Sequence, residues 1–204
     1  MITQFRTIAD RSEGFYKEKG SKFIGIALPV ADLDAVKHAL DEIRQQYYDA
    51  RHHCYAYILG NNGSEFRVND DGEPNHSAGD PILGQIKANN LTKTLVVVVR
   101  YFGGTKLGVS GLVSAYRTAA SEALKNAGIK TEIITTKVRL DYAYEATNDV
   151  MRLINDFQLV IVNQKFETSC QAIFEVSVEK TERLKQKVGL LKNTGSKIEL
   201  TFTE

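Results

Sequence analysis

The sequence predicts an α/β (α+β) protein of two domains, and three observations carry that expectation. Leu95–Val99 is the longest aliphatic run and reads as a strand buried on both faces. A glycine-rich turn follows it, and then an Ala- and Leu-rich stretch of helical composition that Gly128 closes. Beyond residue 130 the order of elements reads β-α-β-β-α-β, the split βαβ or ferredoxin-like arrangement. The boundary falls in 128–136, giving domains of 1–130 and 131–204.

The elements follow in order from period and punctuation. Phe15–Lys19 and Lys22–Val30 read as a hairpin turned by Gly20-Ser21. Asp32 is placed to cap a helix, because Leu33, Val36, Leu40, Ile43 and Tyr47 keep a helical period. "HHCYAYILG" is a strand stopped by Gly60-Asn61-Asn62-Gly63, and "EFRVN" is a short one after that turn. "DDGEPNHSAGDP" is a loop, with Ser77 placed to start the helical "ILGQIKANN". In the second part "TTKVRLDYAY" alternates Val138, Leu140 and Tyr142 as a strand, and Thr147 is placed to cap the helix in "EATNDVMRLINDF". "QLVIVNQKF" and "TSCQAIFEVSV" are strands, "EKTERLKQKVGLLKNTG" is a helix closed by Gly195, and "KIELTFTE" is the last strand.

Bulk properties narrow the function classes. The 204 residues are 43% hydrophobic and 25% charged, with net charge +1, ordinary values for a globular chain. The part to residue 130 carries 16 basic and 14 acidic residues, and the remainder 10 and 11, so neither part is a dedicated polyanion binder. The two cysteines lie far apart and suggest no disulfide framework, which points to a reducing cytoplasm. No signal peptide and no membrane span is expected.

Four groups of residues are able to carry chemistry. "RYFGGTKLGVSGL" places Gly103, Gly104 and Gly108 between a strand and a helix, the geometry that presents backbone N–H groups to an anion. Arg100 and Lys106 add positive charge. The stretch is neither a Walker A loop nor G-x-G-x-x-G, so a close-packed turn is the competing reading. Asp70, Asp71 and Glu73 lie within four positions, a cluster able to hold Mg²⁺ or to form a β-turn through Asp71-Gly72. His52 and Cys54 share one strand face, but only His38, His76 and Cys170 lie beyond that stretch to complete a zinc site. Basic residues around the final helix, among them Lys180, Arg183, Lys185 and Lys192, are able to face a phosphate backbone, but a solvated face is the commoner reading, with Glu179 and Arg183 spaced to pair.

"DARHHCYAY", "NDDGEPNHSAGDPIL" and "VVVVRYFGGTKLGVSGLVSAY", in this order and with "KGSKFIG" before them, resemble the IMPACT family, in particular its bacterial YigZ-like members. The resemblance covers nearly all of residues 15–128. It implies a first domain like the second domain of a small-subunit ribosomal protein, also seen in domain IV of elongation factor G and in GHMP-type kinases. It implies a second domain like domain V of elongation factor G. Eukaryotic members bind a ribosome-associated activator of a starvation-sensing kinase through an additional N-terminal domain, which is not expected here. One departure stands out: the family pattern has glycine in Ser-Gly-Thr-Ala-Gly, where this chain has His76 within Asn75–Gly79. A second is Val109-Ser110, where relatives often carry a small residue and glycine.

The resulting expectation is a cytoplasmic, non-enzymatic, translation-linked protein binding RNA or the ribosome. Arg51, Arg100 and Lys106 would meet phosphate, helped by the N–H groups of Gly103, Gly104 and Gly108. Two alternatives remain open: a Mg²⁺-dependent enzyme or binder of a small phosphorylated ligand, using Asp70, Asp71 and Glu73, and a protein–protein interaction module. No complete catalytic set and no required cofactor is read from the sequence.

Overall fold

The computed structural model describes residues 2–166 and 169–203. Thr168 and Glu204, the expected first residue of one strand and last residue of another, lie outside the described residues. The chain divides into two compact units, Ile2–Glu132 and Ile133–Glu204.

In chain order the first unit contains β1 (Gln4–Ile8), β2 (Ser12–Glu18), β3 (Ser21–Pro29), α1 (Leu33–Gln46), β4 (His52–Leu59), β5 (Glu65–Asn69), α2 (Gly79–Ala88), β6 (Thr94–Tyr101) and α3 (Gly108–Asn126). β7 (Ile129–Ile133) follows and joins β1 in a two-stranded sheet. The main sheet has the order β2-β3-β6-β4-β5 and all its pairings are antiparallel. β6 is its centre, which explains the valine run: Val96 and Val98 face a core shared with α2 and α3, while Leu95, Val97 and Val99 face a core shared with α1. A strand with helices on both faces has no solvated side, so no alternation of polar residues is needed.

Local chemistry sets the element ends. The Asp32 carboxylate accepts the Ala35 N–H at 2.9 Å and caps α1 as expected. Ser77 does not cap α2, because its hydroxyl donates to the Pro74 carbonyl at 2.6 Å. The distant Asp70 carboxylate takes that place, accepting the N–H groups of Ala78 at 3.0 Å and Gly79 at 2.8 Å. Gly14 and Gly25 let α3 lie directly on β2 and β3, since an added Cβ would meet the backbone of Glu122 and Ala123 in one case and of Ala119 in the other.

The second unit contains β8 (Thr135–Tyr142), α4 (Thr147–Phe157), β9 (Val160–Phe166), β10 (Cys170–Ser177), α5 (Thr181–Asn193) and β11 (Ile198–Thr203). Its antiparallel sheet has the order β11-β8-β10-β9, which is the ferredoxin-like connectivity. The core is formed by Val138, Leu140, Phe174 and Val176 against Val150, Leu153, Leu184 and Val188. Thr147 is the first residue of α4 rather than its cap, because a 3-10 turn over Tyr144–Ala146 precedes it and its hydroxyl donates to the Tyr144 carbonyl. On α5 Glu182 pairs with Lys185 at 2.8 Å, and Lys192 pairs with Glu199 at 3.6 Å. Among the described residues no helix is long and apolar enough to cross a membrane.

Candidate anion-binding site

The sequence-predicted residues gather at one end of the main sheet. β4 and β6 are paired with His52 opposite Arg100, so Arg51 lies at the end of the sheet from which the glycine loop leaves. The loop then turns into α3, whose first turn has no acidic residue and no side-chain cap. The N–H groups of that turn lack intrahelical partners, and the helix dipole adds partial positive charge there.

The four-glycine stretch divides into two kinds of position. Gly103 is a packing glycine: an added Cβ would run into the backbone of Gly20 and Ser21, and its N–H donates to the Ser21 hydroxyl at 3.1 Å. Its N–H, the donor expected to meet phosphate, is therefore already engaged within the fold. Gly104 and Gly108 differ. Their φ angles are 87° and 71°, and a Cβ on either would meet nothing within 4 Å. They hold the left-handed turns that glycine adopts most readily and leave the backbone open to an approaching group.

Arg100 is also corrected. Its position on β6 has the parity of Val96 and Val98, so its side chain turns under α3 and not toward solvent. There its NH1 donates to Glu73 Oε1 at 2.6 Å, with the two side chains only 7% and 4% exposed. The Tyr116 hydroxyl donates to the same oxygen at 2.7 Å. The guanidinium carbon lies 5.5 Å from the Phe23 ring centre and 5.7 Å from that of Phe102. One buried carboxylate thus ties the acidic loop to β6 and to α3. No opposite charge is left on Arg100 for a surface phosphate, while Arg51 and Lys106 are exposed and have no ion pair among the described residues.

The other two acids are spent on backbone. Asp70 caps α2 and also accepts the His76 N–H at 2.9 Å. Asp71 Oδ2 accepts the His53 N–H at 2.6 Å, and its carbonyl lies 2.9 Å from His52 Nδ1. The carboxylates of Asp70, Asp71 and Glu73 therefore serve separate partners, and among the described residues no group of three His, Cys, Asp or Glu is arranged to hold a metal ion. His76, at the glycine of the family pattern, has φ 64°. Its ring nitrogen Nδ1 lies 2.6 Å from Asp80 Oδ2, a contact that helps hold a backbone shape disfavoured for a side chain with a Cβ.

Cys54 is buried, with Sγ 3.0 Å from the Asp70 carbonyl oxygen and 3.3 Å from the Tyr116 hydroxyl. Burial pushes the Cys54 thiol far above its ordinary range and does the same to the Tyr116 phenol. Both cysteines are buried and free. The native protein is therefore expected to leave an aromatic disulfide reagent unreacted at about pH 8, and to release about two equivalents of chromophore once unfolded. Fast reaction of the native protein would show a solvated thiolate.

Beside these groups lies a pocket of about 350 Å³, lined by Glu73, Arg100, Phe102, Lys106, Gly108 and Leu112, among others. The acidic and glycine loops thus meet in space. A larger groove of about 610 Å³, lined in part by Arg6, Asn61, Lys87 and Thr92, lies at the opposite end of β6 and contains none of the sequence-predicted residues. The sequence reading missed Tyr116 and Phe102 as parts of the site. Tyr116 is a tyrosine on the otherwise Ala- and Leu-rich buried face of a helix, and that polar exception was the signal available.

The family model for the Impact N-terminal domain matches residues 19–124. The chain is 30% identical to the IMPACT family member YvyE of Bacillus subtilis, over 89% of this chain and 83% of that one. It is 31% identical to the IMPACT family member YigZ of Escherichia coli, over 73% and 74% of the respective chains. A crystal structure of a hypothetical protein superposes with a TM-score of 0.72 at 26% identity, covering 100% of this chain and 99% of that one.

Proposed function

Because this chain belongs to the IMPACT family, we propose that it is a non-enzymatic, translation-linked cytoplasmic protein that binds RNA or the ribosome through the start of α3. The observation that carries this reading is the uncapped first turn of α3, with exposed Lys106 and the open, positive-φ Gly104 and Gly108 beside it. Such a turn offers backbone donors and positive charge to phosphate without sequence preference. Arg51 at the same end of the sheet extends the positive surface. Arg100 takes no direct part in this reading, because its charge is balanced by Glu73.

The test is cosedimentation with ribosomes and titration with short RNAs between about 50 and 200 mM salt. Binding is expected to weaken steeply with salt, and Lys106→Ala is expected to reduce the slope of log affinity against log salt by about 1. Affinity that ignores ionic strength would count against phosphate contact. Recovery of one dominant protein partner, with no RNA or ribosome binding at low salt, would favour an interaction module instead.

A further inference from the structure

The pocket at the start of α3 has a property that a backbone-phosphate cradle does not require: most of its wall is apolar. Leu107 and Leu112 line it beside Pro74, and Phe102 stands with 54% of its surface exposed. Exposed Lys106 and the uncapped helix start lie along the same wall. Arg100 lines it too, as a side chain 7% exposed whose Nε–H has no acceptor among the described residues. A buried, unpartnered donor is costly in a folded chain. A pocket that joins an open helix N-terminus, two cations of which only one is balanced by Glu73, and an exposed aromatic ring suits a ligand that is anionic at one end and flat and apolar at the other.

We infer that this pocket takes a single nucleotide, its phosphate on Lys106 and the free N–H groups at the start of α3 and its base against Phe102. The volume of about 350 Å³ lies at the small end of ligand pockets and accommodates one nucleotide rather than a helix. Bases within an A-form duplex are stacked and out of reach, whereas unpaired bases stack readily on aromatic side chains. The inference rests on the RNA reading above and narrows it to single strands, loops and ends. The same chemistry is presented by a free 5′-mononucleotide, so the experiment separates the two sources.

The full-length protein is titrated by fluorescence anisotropy with a labelled ten-nucleotide single strand and with the blunt duplex of the same sequence, and AMP is used as competitor. Phe102→Ala, Phe102→Tyr and Lys106→Ala are compared, with thermal unfolding as the control for folding. The single strand is expected to bind at least about tenfold more tightly than the duplex. Phe102→Ala is expected to weaken it about 5- to 150-fold, the loss of one base stacked on an aromatic ring, with Phe102→Tyr restoring it. Displacement of the strand by AMP would assign the pocket to nucleotides in general, and a strand that AMP does not displace, with the same dependence on Phe102, would assign it to single strands. Equal affinity for duplex and strand, untouched by Phe102→Ala but cut by Lys106→Ala, would overturn the inference and leave the RNA reading intact. Binding of AMP that depends on Phe102, with no RNA or ribosome binding, would do the reverse. Absence of all binding at low salt would overturn both.

Discussion

Glu73→Ala is expected to lower the stability of the protein by about 3–5 kcal/mol, read as a fall in the urea midpoint at unchanged slope. The change strands the Arg100 guanidinium, 7% exposed, without its carboxylate and takes the acceptor from the Tyr116 hydroxyl. An unpaired buried charge costs more than the pair contributes, so the size of the loss measures what is left behind, not the net worth of the bond. Removing both partners in Glu73→Ala/Arg100→Met should therefore recover most of the loss. Tyr116→Phe should cost only about 1 kcal/mol, because Arg100 and Glu73 still satisfy each other. A loss below about 1 kcal/mol in Glu73→Ala would mean that Arg100 reaches water, and the double variant would then show no recovery.

The second large effect separates glycines that the sequence leaves alike. Gly103→Ala is expected to destabilise by about 3 kcal/mol, since the new methyl meets the Gly20 and Ser21 backbone, which has no flexible end to move aside. Gly104→Ala is expected to cost about 1 kcal/mol, the left-handed backbone penalty at φ 87°, because the space around it is open. Thermal unfolding of the two variants decides the matter. Under the phosphate reading the binding effects are ordered the opposite way: folded Gly104→Ala should bind RNA less well, because its methyl occupies the approach. Equal melting temperatures would remove the distinction between a packing glycine and an approach glycine.

Much of the architecture was legible in the residues. The valine run announced a strand covered on both faces, Asp32 announced the start of α1, and the alternation from Val138 to Tyr142 announced β8. These are local signals, in which the residue and its near neighbours suffice to determine the outcome. β1 and β7 went unread, because two short strands that pair with each other across more than 100 residues have no local mark of the partnership. Thr147 and Ser77 were misplaced as helix caps for a related reason. A hydroxyl can bond to the carbonyl behind it as readily as to the N–H ahead, and only the path of the chain selects one.

The candidate site shows the same division more sharply. By itself the sequence determined that glycines, cations and acids lie near a strand-to-helix turn, because motif and spacing are properties of contiguous residues. Which of them face a ligand was decided only by the tertiary structure. Arg100 and Lys106 are six positions apart and carry the same charge, yet one is buried against Glu73 and the other is exposed. Gly103 and Gly104 are adjacent, yet one is pressed against Gly20 and the other faces open space. The physical reason is that burial, and with it the availability of a charge or an N–H group, depends on what packs from elsewhere in the chain. Glu73 and Tyr116 come to Arg100 from segments 27 residues before it and 16 after it, and their packing leaves that side chain only 7% exposed.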